Sequence, residues 1–89
     1  MKKIDIENMN DEDVKHHKVR IGIKVLGSIV QHDSDGVYEF TPVKERSLIL
    51  YIAKNNLPYS ICSERLDKLL IQLRNDYSSH SEELFNLIN

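Results

Sequence analysis

The apolar positions in HKVRIGIKVLGSIVQ, His17 to Gln31, satisfy two periodicities at once. At about 100° per residue, Val19, Ile21, Ile23, Val25, Leu26, Ile29 and Val30 share one arc of roughly 200°. His16, His17, Arg20, Lys24, Gly27, Ser28 and Gln31 then lie opposite. Asn10 or Asp11 is placed to cap such a helix, and Asp11, Glu12 and Asp13 suit the positive end of its dipole. The same letters also alternate over residues 19–25, where Arg20, Gly22 and Lys24 separate the apolar residues as in a strand. A strand reading requires a turn at Leu26-Gly27-Ser28, which lacks turn chemistry. The helix reading carries two glycines, each costing on the order of 1 kcal/mol relative to alanine, and many β-branched residues. The helix, over residues 11–31, is the favoured expectation.

Downstream, Asp33-Ser34-Asp35-Gly36 is a turn signal, followed by Val37-Tyr38-Glu39-Phe40 as a structured loop or short strand. Thr41 caps and Pro42 opens a second helix over 42–55, whose Leu48–Ala53 centre is apolar on nearly every side and therefore central. A third helix over 60–78 is marked by the stripe Cys62, Leu66, Leu69, Leu70, Leu73 and Tyr77. Ser79-His80-Ser81-Glu82 reads as a capping box before a short helix over 80–88, with Leu84, Phe85, Leu87 and Ile88 folding back on the core. The pattern predicts a mainly α-helical bundle of three to four helices: a flexible segment 1–10 and a single helical domain 11–89. The alternative is an α+β fold, with a β-hairpin or three-stranded meander in 19–40 packed on the C-terminal helices.

Composition narrows the function classes. At 89 residues the chain has room for one domain. No apolar run approaches the roughly 20 residues that span a bilayer, and the N-terminus turns acidic where a secretory signal would turn apolar. A single cysteine excludes an internal disulfide, which together with these features predicts a cytoplasmic protein. Twelve basic against fourteen acidic residues give a net charge of −2, which does not favour nucleic acid as partner. The basic residues nevertheless cluster, with Lys15, Lys18, Arg20 and Lys24 forming a solvated face or a docking patch.

Catalytic and metal chemistry find little support. His16 and His17 diverge on a helix, and no ligand spacing links His32, His80 and Cys62, so no metal is expected. Cys62 falls on the third helix's apolar stripe and reads as a core residue. Counting twelve from Asp33 reaches Lys44 where a calcium loop needs glutamate. No glycine-rich phosphate cradle occurs, and no cofactor or small-molecule site is expected. The break at 56–59 allows a helix-turn-helix presenting Ile61, Glu64, Arg65 and Lys68, a face of mixed sign.

Ser63-Glu64-Arg65-Leu66-Asp67 resembles the Ser-Gln-Glu-Leu-Asp motif of the two-helix phosphatases that act on a sporulation response regulator, with Ser63, Leu66 and Asp67 matching. That resemblance implies a helical site with Asp67 in a catalytic role. Val25-Leu26-Gly27, Lys44 and Leu48–Ile52 are similar in outline to the small dimeric helical regulators of acid resistance and biofilm control, over about half the chain. Ile61, Ile71, Leu50 and Tyr51 widen the apolar girth of the second and third helices beyond what a small domain covers, predicting an exposed patch suited to a twofold self-interface. The expected function is a regulatory protein that is not an enzyme and acts by protein–protein binding as a homodimer. Its contacts would be Arg20 and Lys24 on the basic face and Tyr51 and Ile71 on the apolar patch. DNA binding, a phosphatase-like regulator and an immunity or inhibitor protein are the alternatives.

Overall fold

The computed structural model describes residues 4–10 and 13–88. It is an α+β fold, which overturns the expected helical bundle. Four strands follow one another as an antiparallel meander: β1 (Ile4–Asn10), β2 (Asp13–Ile21), β3 (Lys24–Gln31) and β4 (Tyr38–Pro42). Helix α1 (Arg46–Lys54) then leads to a three-residue fifth strand, β5 (Ile61–Ser63), paired with β4. Helix α2 (Leu66–Tyr77), one 3-10 turn (Ser78–His80) and helix α3 (Ser81–Leu87) complete the chain.

The register sorts residues between the two sheet faces. Ile4↔Ile21, Val19↔Gly27, Ile29↔Phe40 and Phe40↔Ile61 place these side chains on one face, where they join Leu48, Ile52, Leu69, Leu73, Tyr77, Leu84 and Ile88 from the helices in the buried core. The opposite face carries His16, Lys18, Arg20, Val25, Ser28, Val30, Glu39, Thr41 and Cys62, and none of them is buried. One face packs and the other faces water, the usual division of an antiparallel sheet.

The expected 11–31 helix is replaced by β2, a turn and β3, because the wide arc mixed residues from three environments. Val19, Ile21, Leu26 and Ile29 are core, Val25 and Val30 lie on the open face, and Ile23 sits in the turn. An arc of about 200° is broader than a helix needs to bury one stripe. The turn that makes two strands possible is Gly22–Ile23, where Gly22 adopts φ 61°. His17, opposite Ile29 on the core side, is buried, and its Nε2 has no hydrogen-bond partner among the described residues.

Later boundaries also move. Thr41-Pro42 ends β4 instead of opening a helix, and α1 starts at Arg46 after Glu45, whose side chain makes no cap bond. Helix α1 buries Leu48 and Ile52 only, while Leu50 is 59% exposed, so it is not a central element buried all round. The expected 60–78 helix begins late: residues 61–63 are β5, which puts Cys62 on the surface and not in the core. Within α2 the stripe Leu69, Leu73 and Tyr77 is buried. Tyr77 packs edge-to-face on Phe40 at 5.7 Å, and its hydroxyl donates to the Pro58 carbonyl. The 80–88 helix is found as α3, although His80 stands at its N-cap without a side-chain cap bond.

Candidate interaction site

The end of the sheet at the β2–β3 hairpin concentrates the unusual features. Pairing of Ile21 with Lys24 leaves only Gly22 and Ile23 to reverse the chain. A positive φ at the first turn residue alone is the sign pattern of a type II′ turn, in which the first position calls for glycine and the second is free. The second position holds isoleucine, 87% exposed. Arg20 approaches the turn from the open face, its Nη1 donating a long 3.5 Å bond to the Ile23 carbonyl.

Beyond the turn the ladder shifts: Arg20 pairs with Val25 and Val19 with Gly27, so Leu26 is an extra, bulged residue. Its carbonyl accepts from the Val43 N–H at 2.9 Å, which draws the chain after β4 against the hairpin. Lys24 crosses to the helix layer, where Nζ donates to the Phe85 carbonyl at 2.9 Å and lies 4.2 Å from the Phe85 ring centroid. A cation on the last carbonyls of α3 satisfies an acceptor that the helix itself leaves open and matches the sign of the helix end. At the start of α1, Glu45 places a carboxylate at the end of opposite sign.

These segments wall an open cleft of about 500 Å³, lined by Ile23, Lys24, Val25, Val43, Glu45 and Ile88. Four apolar side chains and one charge of each sign can seat an apolar side chain and orient what carries it. The only titratable side chains in that lining are Lys24, whose Nζ is bonded to the Phe85 carbonyl, and Glu45.

A second cluster sits on the open face. His32 Nε2 lies 2.7 Å from Glu39 Oε1, and Ser60 Oγ donates to Oε2 at 2.8 Å, with Cys62 Sγ 3.9 Å from Ser60 Oγ. Hydrogen bonds from Ser60 and then His32 hold the Glu39 carboxyl below its ordinary value. The carboxylate is at the centre, with serine and imidazole on either side of it, whereas a nucleophile relay requires the imidazole at the centre. Among the described residues no group of three His, Cys, Asp or Glu side chains could hold a metal ion.

Of the four residues expected to bind a partner, two converge here. Lys24 lines the cleft and Arg20 supports its turn, though they lie on opposite faces of the hairpin and form no common basic patch. In the register Asp5 stands opposite Arg20 and Glu7 opposite Lys18, so the basic strand runs beside acidic positions. Tyr51 and Ile71 lie elsewhere. The Tyr51 hydroxyl is bonded to His80 Nδ1 at 2.7 Å, and burial, then Glu83, raises its pKa. Ile71 is 58% exposed on α2. Ile23, Val43, Glu45 and Ile88 escaped sequence reasoning, although Gly22 beside an isoleucine was the available signal.

The phosphatase-like motif is not on one helix. Ser63 ends β5, α2 begins at Leu66, and the Asp67 carboxylate is bound by Arg65 through Nε and Nη2, both at 3.0 Å. That guanidinium holds the Asp67 pKa down. Nor do α1 and α2 form a helix-turn-helix, because β5 intervenes. Among the described residues no helix is long and apolar enough to cross a membrane. No known family, curated protein or solved structure matches the chain.

Proposed function

We propose that this protein is a non-catalytic regulatory module that acts in the cytoplasm by protein–protein contact at the end of its β2–β3 hairpin. The observation that carries the reading is Ile23. A β-branched apolar residue stands 87% exposed at a turn position that a polar residue would fill equally well, beside a cleft lined by Val25, Val43 and Ile88. Exposed apolar area next to an open apolar cleft is stabilised when a partner covers both. The exposed thiol of Cys62 suits a reducing compartment. A protein partner fits better than nucleic acid: the chain's net charge is −2, and among the described residues no Phe, Tyr or Trp lies on the open face for bases to stack on.

The test is a photo-crosslinking amino acid placed in turn at Ile23, Leu50 and Ile71 in the full chain in living cells. Adducts with protein are expected at Ile23 and not at the two helix positions. Adducts from Leu50 or Ile71 with none from Ile23 would move the contact surface to the helices and refute the proposal.

A further inference from the structure

Resting on that reading, we infer that the cleft's occupant is a second copy of this chain, with Ile23 of each copy seated in the cleft of the other about a twofold axis. A twofold interface uses one patch twice, so a projecting residue and the hollow that receives it must lie on the same patch. The hairpin end meets this condition, because Ile23 stands 87% exposed and lines the same cleft as Val25, Val43 and Ile88. The lining also includes Lys24, held on Phe85, and Glu45, one charge of each sign, so a copy rotated onto the patch meets no excess of like charge.

Other occupants fit less well. A small molecule needs enclosure and several convergent polar groups, whereas this cleft is open and mostly apolar. A peptide added as a strand needs a free sheet edge, and the cleft lies at the hairpin's turn, between strands already paired on both sides. The required guest is an apolar side chain on a projecting turn flanked by mixed charge, which this chain itself possesses. A stable pair of proteins buries about 800 Å² on each partner, close to one seventh of the 5720 Å² this chain exposes. Six lining residues supply only part of that, so the pair is weak and forms reversibly with concentration.

The experiment is sedimentation of the full chain from micromolar to millimolar concentration, with circular dichroism to confirm folding. Wild type shifts from monomer to dimer, Ile23→Asp raises the dimer dissociation constant at least about 100-fold, and Ile71→Asp matches wild type. Val43→Asp, which spoils the hollow, also weakens the dimer. Mixing Ile23→Asp with Val43→Asp restores one intact knob and hollow per pair, so the mixture associates more tightly than either variant alone. A wild type that stays monomeric, an Ile23→Asp variant that pairs normally, or a mixture without gain would each overturn the inference. Adducts of the Ile23 crosslinker with a different protein, from a monomeric chain, would overturn it while leaving the binding function standing; absence of any adduct removes both.

Discussion

Gly27 on β3 is the position where the smallest substitution should do the most damage. A Cβ added there would lie 2.3 Å from the Thr41 carbonyl oxygen, 2.8 Å from Pro42 Cα and 2.8 Å from Phe40 Cε1. Two of these atoms belong to the β4 backbone, and the third to a ring with no exposed area, so no flexible side-chain end can yield. Ordinary contact begins near 3.4 Å, and β4 would have to recede by about 1 Å. That movement stretches the 2.9 Å bond from the Val43 N–H to the Leu26 carbonyl beyond useful length, a loss of about 1 kcal/mol. Overpacking against a closed core adds about 1–3 kcal/mol. Gly27→Ala should therefore cost about 3 kcal/mol, from a total near 4–13 kcal/mol for a chain of this size. Thermal unfolding should fall by roughly 12–24 °C, and the urea midpoint by about 1–3 M, followed by circular dichroism with the slope unchanged. A loss below about 1 kcal/mol would refute both the β3–β4 approach and the packing of Phe40 over Gly27.

Other consequences follow from single contacts. Tyr77→Phe leaves the Pro58 carbonyl without its donor and should cost about 1–3 kcal/mol in urea unfolding. Burial raises the Tyr77 pKa above its ordinary 10.0, so its contribution is complete below that pH and lost above it, a decline that Tyr77→Phe should lessen. Lys24→Met keeps the stem but removes the bond to Phe85, and should cost about 1–2 kcal/mol in the same measurement. Glu39, held below 4.5 by Ser60 and His32, contributes stability that is present above that pH and lost as acid protonates it; the effect is under about 1 kcal/mol and absent from Glu39→Gln, as an acid titration of the thermal midpoint will show. Cys62 should react completely with a thiol reagent in the native protein, whereas a buried thiol would react only on unfolding.

Periodicity served well where a segment has one environment. The turn over 33–36 forms, with Asp35 Oδ1 accepting from the Val37 N–H at 3.0 Å, and the buried stripe of α2 falls on Leu69, Leu73 and Tyr77. It failed where one segment touches several environments. Val25 and Val30 on the open face, and Ile23 in the turn, look like core residues to any count of hydrophobicity. The Leu26 bulge shifts the alternation by one position, hiding the second strand of the hairpin. Thr41-Pro42 has good helix-start chemistry, yet pairing of 38–42 with β3 prevails, with the local signal overridden by the sheet. At the hairpin end charge singles out Lys24 and Arg20 in the sequence, while hydropathy places the neighbouring isoleucine in the interior, where the structure does not put it.

The bond from Lys24 to Phe85 joins positions 61 residues apart, in a molecule whose strand pairs up to β4 connect near neighbours. The hairpins close over short loops at small entropic cost, whereas joining β3 to the last helix closes a far longer loop and costs more. A chain cut before Phe85 would retain every strand and still lack that bond, leaving a sheet prone to stick to its neighbours.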